Sequence, residues 1–359
     1  MSASAISESD RASVVEVSAN NERSAATAVW LLAIAAIVLA MVVVGGATRL
    51  TGSGLSITQW NPIAGAIPPL SPPAWAHAFG LYRATPQYRL VNRGMSLGEF
   101  QFIFWWEWAH RFLGRLLGVV FFAPFVALIA MRRLPRRLIW RCVVLFCLGG
   151  LQGAVGWWMV KSGLEDRVSV APERLAAHLG LALILFVSLI WTGLEAWRGP
   201  APAGERRRDG WTWASAAFAF GVFLQCLLGA LVAGNKAGLI DSDWPLMAGK
   251  FVPPDYFRGN LWSTLAHNAP AVQFNHRLLA YALLAGGLAM AFSGLGRQTT
   301  TPSLRALALL VASLLTLQVL LGIGTLILGV PLAMALAHQA TAALLLATVT
   351  AFAWRARRI

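Results

Sequence analysis

Eight stretches of this chain are long and apolar enough to cross a bilayer, and no other feature restricts its fold so strongly. A hydrocarbon layer of about 30 Å takes about 20 helical residues, and inside it every backbone N–H and C=O must be paired within the protein. The stretches run from Ala28 to Thr48, Trp108 to Met131, Leu138 to Val160, Arg174 to Trp197, Trp211 to Gly234, Val272 to Ala291, Leu304 to Leu328 and Leu332 to Trp354. They predict an all-α integral membrane protein with eight transmembrane helices, spans 1 to 8 in chain order, embedded in the lipid bilayer. With 57% of 359 residues hydrophobic and 12% charged, the composition lies outside the range of a soluble globular domain.

Basic residues orient the spans. Arg11 and Arg23 precede span 1; Arg132, Arg133, Arg136, Arg137 and Arg141 follow span 2; Arg198, Arg206, Arg207 and Arg208 follow span 4; Arg297 and Arg305 follow span 6; Arg355, Arg357 and Arg358 follow span 8. All lie on one face, so the positive-inside rule makes both termini cytoplasmic and puts loops 49–101 and 235–271 outside. The net charge of +14 is thus mostly topogenic, and a nucleic-acid partner is excluded because no basic face is interleaved with exposed aromatics on a soluble domain. Residues 1–27, polar and without an apolar h-region, read as a disordered cytoplasmic tail. Cys142, Cys147 and Cys226 fall inside spans 3 and 5, so no disulfide or CxxC metal site is predicted.

The chain repeats itself. "EWAHRFLGRLLGVV" in span 2 returns as "QFNHRLLAYALLAG" in span 6, "LAAHLGLALILF" in span 4 as "ALAHQATAALLL" in span 8, and "TGSGLSITQWNPIAGAIPP" as "KAGLIDSDWPLMAGKFVPP". An even number of spans per unit enters the membrane in the same sense, so the prediction is two tandem four-helix bundles related by a pseudo-two-fold axis along the membrane normal. The divisions are 28–197, a linker at 198–210, 211–354 and a basic tail at 355–359.

The repeat puts four histidines in equivalent places: His110, His178, His276 and His338, each near the start of a span that runs inward from the outer face. A lone histidine there is most often an interfacial hydrogen-bonder. Four matched ones point to ligation, since imidazoles from facing helices of a bundle clamp a haem iron from both sides. Zinc is the rival, but two histidines per half with no repeated cysteine or acid suit a bis-histidine porphyrin better than a tetrahedral site. One turn beyond each histidine stands a small residue, Gly114, Ala182, Ala280 and Ala342, leaving room for a macrocycle or serving plain helix packing.

The halves differ at one position. Glu107 stands three residues before His110, where the second half has Gln273 before His276. Idle intramembrane acids are rare, so the first pocket is read as the place of chemistry, against the alternative that Glu107 only hydrogen-bonds a loop. Ser96 and Glu99 form a capping-box pattern, which starts this helix before the membrane.

Glu107, His110 and Arg111 as a Glu-x-x-His-Arg run, the second histidine pair, the duplicated four-helix plan and "GGATRLTGSGLS" closing span 1 together resemble the haem A synthase family over residues 28 to 354. The resemblance implies oxidation of a ring methyl of haem O to a formyl, through an alcohol, giving haem A for terminal oxidase assembly in the cytoplasmic (inner) membrane. It implies that His110 and His178 hold the substrate haem, that His276 and His338 hold a resident haem b, and that Glu107 is the catalytic acid. Haem O synthase, cytochrome oxidase assembly factors and an unidentified electron acceptor are the implied partners. Some members carry a cysteine pair in the first outer loop; this chain resembles the branch without it.

On elementary chemistry, a carboxylate beside the reacting carbon stabilises developing positive charge or takes a proton from attacking water. With both axial positions filled by histidine, water is favoured as the source of the formyl oxygen; a histidine that lets go reopens a route through the iron. For Arg111, Arg277, Arg49 and Lys236 two readings stand side by side, pairing haem propionates or anchoring at the interface. His77 and His267, without repeat partners, read as solvated. The outer-loop tryptophans, among them Trp60, Trp75 and Trp244, read as interfacial belt residues. Two rivals remain: a di-haem b-type electron-transfer protein, which leaves Glu107 without a role, and a duplicated transporter, which lacks midplane polar groups. A GxxxG-like face at Gly114 and Gly118 permits a homo-oligomer.

Overall fold

The computed structural model describes residues 23–201, 209–296 and 301–358. Expectations resting on residues 1–22, on Arg206, Arg207 and Arg208 and on Arg297 lie outside them. Among the described residues eight helices are long and apolar enough to cross a membrane. They are span 1 (Ala25–Leu50), span 2 (Leu97–Ala130), span 3 (Arg136–Leu164), span 4 (Pro172–Arg198), span 5 (Gly210–Gly234), span 6 (Ala269–Gly296), span 7 (Pro302–Ile327) and span 8 (Leu332–Ala356). No strand is present among these residues beyond one bridge, Met247 to Lys250. The chain is a multi-pass, all-α membrane protein.

Local chemistry sets the helix ends. Ser24, Asp209 and Thr301 cap spans 1, 5 and 7 by accepting a backbone N–H in the first turn, and proline opens spans 4 and 7. Span 2 is the long one. Ser96 and Glu99 complete the expected capping box, and the resulting 34 residues stretch about 50 Å, well beyond a hydrocarbon layer. His110 therefore lies deeper along its helix than the first two turns, because the helix starts ahead of the apolar stretch.

Spans 1 to 4 pack together through spans 1 with 4, 1 with 2 and 3 with 4; spans 5 to 8 do so through 7 with 8, 6 with 7, 5 with 8 and 5 with 6. Spans 4 with 5, 8 with 1 and 4 with 8 join the two groups. One core gathers Leu31, Ile34, Phe121, Phe125, Leu138 and Phe186; the other gathers Val222, Leu283, Val311, Leu346, Val349 and Phe352. Outward positions such as Val119, Phe122 and Leu320 are half or more exposed, the lipid-facing complement of these cores.

The loop between spans 1 and 2 is itself folded, which no hydropathy signal announced. Helix Pro72–Arg83 stacks Tyr82 and Phe79 on Phe100 and sets Trp75 edge-on to Phe100 and Phe104 of span 2, while Tyr88 of helix Pro86–Leu90 meets Phe79 and Tyr82 edge-on. Tyr82 is fully buried, its hydroxyl donating to Gln87 (3.0 Å) and accepting from Asn92 (2.7 Å), and burial pushes its phenol above the ordinary value. His77 is exposed; His267 lies 3.9 Å from Glu173 and against Trp262.

Candidate functional site

Four imidazoles sit in four matched seats. A Cβ added to Gly45 would stand 3.0 Å from Cε1 of His110, at Gly156 2.9 Å from that of His178, at Gly229 3.3 Å from that of His276 and at Gly322 2.8 Å from that of His338. Each ring edge thus lies on a glycine of the preceding span, where an added Cβ would crowd the imidazole, most severely at Gly156 and Gly322. Gly156 and Gly322 are 166 residues apart, as are His110 and His276; Gly45 and Gly229 are 184 apart. His110 and His178 lie within electrostatic range of one another, as do His276 and His338. All four histidines are part-buried residues. No group of three or more His, Cys, Asp or Glu is assembled among the described residues.

Beside the histidines a polar ladder runs down span 2. Glu107, Arg111 and Arg115 are four residues apart and share one face. Glu107, 3% exposed, accepts from Ser56 Oγ (2.7 Å) and the Ile57 N–H (2.8 Å) on one oxygen and from Arg111 (2.6 Å) on the other. Arg111 also donates to the carbonyls of Ile57 (2.8 Å) and Gln59 (3.2 Å), and Arg115 to those of Pro62 (2.7 Å) and Asn61 (2.9 Å). The charges in this apolar helix therefore strap residues 56–62 along it, supplying donors to carbonyls that no regular structure satisfies. The second half repeats the strap without the acid. Gln273, equally buried, donates to Asp241 O (2.8 Å), and Arg277 to the carbonyls of Asp241 (2.9 Å), Asp243 (2.8 Å) and Leu246 (3.2 Å).

Arg49 reaches across to the Ala233 carbonyl of span 5, and Lys236 is exposed in a left-handed conformation, φ 52°. Arg49 Nε and Arg277 Nε are buried without partners. The reading of the sequence did not include the seat glycines, the loop anchors Ser56 and Ile57, or three glutamines, Gln152, Gln225 and Gln318, that touch His178, His276 and His338. Their signal was present: a Gln-x-x-x-Gly run recurs in spans 3, 5 and 7 and emerges once the repeats are superposed.

Comparison with known proteins shows the family of the chain. The family model COX15-CtaA, described as cytochrome oxidase assembly protein, matches residues 28–350. A protein named heme A synthase from Caulobacter sp. (strain K31) is 57% identical over 338 residues, 94% of this chain and 98% of its own. Its namesake in Caulobacter vibrioides is 56% identical with the same coverage, and that of Parvibaculum lavamentivorans is 49% identical over 88% of this chain and 90% of its own.

Proposed function

The chain belongs to the heme A synthase family of cytochrome oxidase assembly proteins, and on that premise we propose that it oxidises a ring methyl of haem O to the formyl group of haem A. The methyl first gains a hydroxyl from water with loss of two electrons and two protons; the alcohol then loses two more of each to become the aldehyde. An external acceptor takes the electrons. Residues 28–197 form the substrate bundle and 211–354 the bundle of a resident haem b, in the cytoplasmic membrane with both termini inside.

The observation that carries this reading is four matched imidazoles in two pairs, with a carboxylate beside only one pair. The residues fit the groups. Two imidazoles per half would supply the nitrogen donors, each lies against a glycine, and the Nε–H groups of Arg49 and Arg277 and the exposed Lys236 would be left for propionates. His110 and His178 would hold and orient the substrate, and His276 and His338 would hold haem b. Haem b, when bound, supplies one-electron redox chemistry.

Glu107 does the acid–base work. Three donors hold its carboxylate on a rigid helix, so it meets developing positive charge, or a proton leaving the attacking water, without first reorganising. Arg111 couples that carboxylate to the strap over the pocket.

Extraction of the pigments from purified protein tests the assignment. Haem b together with haem O, its alcohol or haem A is the expected mixture. Haem b alone identifies an electron-transfer protein, and a colourless protein rejects both readings.

A further inference from the structure

Each odd-numbered span presents the same device to the histidine of the next span, with one exception. The residue one helical turn before the seat glycine shares its face: Gln152 before Gly156, Gln225 before Gly229 and Gln318 before Gly322, but Met41 before Gly45. Gln152 Nε2 lies 3.2 Å from His178 Nδ1 and donates to the His178 carbonyl at 2.9 Å. Gln225 treats His276 in the same way, at 3.1 and 2.9 Å. His338 is held differently: its Nδ1 lies 3.1 Å from the backbone carbonyl of Gln318, and the Gln318 side-chain amide nitrogen lies 3.3 Å from its Nε2. The Met41 methyl instead points to Gly114, 3.5 Å from where a Cβ would be, and His110 Nδ1 is buried with no hydrogen-bond partner.

A metal-bound imidazole is held best by an acceptor for its other N–H. An amide N–H is a donor, so the Gln152 and Gln225 contacts fix the rotation of their rings, and the acceptor that would take an Nδ1–H is the neighbouring Oε1. Oε1 of Gln152, Gln225 and Gln318 is buried and unpartnered, so each amide also holds a spare acceptor close to the ring. His110 has neither aid. The difference falls between two pockets with different duties: one keeps its tetrapyrrole, and the other must admit and release one in every cycle.

We propose that Gln152, Gln225 and Gln318 are positioning residues that lock three of the four imidazoles, and that Met41 leaves His110 as the exchangeable ligand of the first pocket. The inference rests on the haem assignment above and goes beyond it by ranking the four ligands.

The test uses full-length protein in detergent, its sites filled with ferric protoporphyrin, and follows transfer to excess haem-free myoglobin in the Soret band. The wild type is expected to lose porphyrin in a fast and a slow phase. Met41→Gln slows the fast phase about tenfold, and Gln225→Met speeds the slow phase about tenfold, the factor that roughly 1.4 kcal/mol represents, at the upper end for one hydrogen bond. Gln225→Met also moves the largest low-spin g value of the second-half haem, which the lipid-facing Val119→Ala leaves in place. Two phases that ignore both substitutions, or respond equally to Val119→Ala, overturn the ranking alone. A protein without any Soret band overturns the proposed function and the ranking with it.

Discussion

Glu107 and Gln273 occupy the same place in the two halves, and each clasps the loop above its pocket. Glu107 accepts from Ser56 and Ile57 whereas Gln273 donates to Asp241, yet a glutamine at 107 keeps an oxygen that can accept from the same two loop donors. Glu107→Gln should keep the fold and the bound tetrapyrroles yet lose conversion of haem O, measured by pigment analysis after expression with a haem O source; full conversion would return Glu107 to a purely structural role. The seat glycines make a sharper steric claim. In Gly322→Ala the new methyl meets His338 Cε1 at 2.8 Å, closer than real Cβ contacts come, so the ring must turn away from its seat. Haem b should then fall to well under half occupancy, while porphyrin bound by His110 and His178 is retained; quantifying haem per chain decides the matter.

Helices crossing lipid are legible one by one, because a bilayer imposes a length and a polarity that each must meet alone. Span 5 was expected at Trp211 to Gly234 and runs Gly210–Gly234; span 8 was expected to end at Trp354 and ends at Ala356. The loops obey no such threshold. Pro72–Arg83 carries a readable start, with Ser71 as its cap and proline in its first turn, but its place is fixed by Tyr82 and Phe79 meeting Phe100 across the fold, a contact no local pattern encodes. The histidines were found because four repeats of one residue type stand out. The glutamines that hold three of them were missed because a glutamine in a leucine-rich helix gains meaning only when its repeat partners are superposed. The polar ladder of span 2 makes a prediction at this scale. Arg115→Leu removes the donors to Pro62 and Asn61, hydrogen bonds to a charged group worth roughly 1.5–3 kcal/mol in total if partly rescued by water. The strap should loosen locally, and limited proteolysis of the intact protein should cleave within residues 56–66 several-fold faster than wild type, with the eight spans left resistant.

The two halves join along spans 1, 4, 5 and 8, where span 4 packs on spans 5 and 8 and span 8 also on span 1, and two of these crossings are built differently. Where span 4 meets span 5, Gly180 receives Leu227 and Phe223, an apolar contact. Where span 8 meets span 1, Gln339, the neighbour of His338, donates to the Val42 carbonyl at 2.7 Å and lies in a notch at Gly46, the neighbour of the His110 seat. A Cβ on Gly46 would stand 2.1 Å from Gln339 Oε1 and 2.8 Å from Cδ, so the amide and the methyl cannot share the notch. The amide is the end of a flexible chain and can swing out, but it then loses its bond to Val42 and parts the helices. Overpacking of this kind costs about 1–3 kcal/mol, and it couples two residues from opposite halves. Gly46→Ala should lower the unfolding free energy in detergent by that amount. In a Gln339→Ala background, where the notch is empty, the same substitution should cost less than about 0.5 kcal/mol, giving a double-mutant coupling above about 0.5 kcal/mol. Additive losses would mean that spans 1 and 8 are held by their apolar surfaces and that Gln339 merely rests between them.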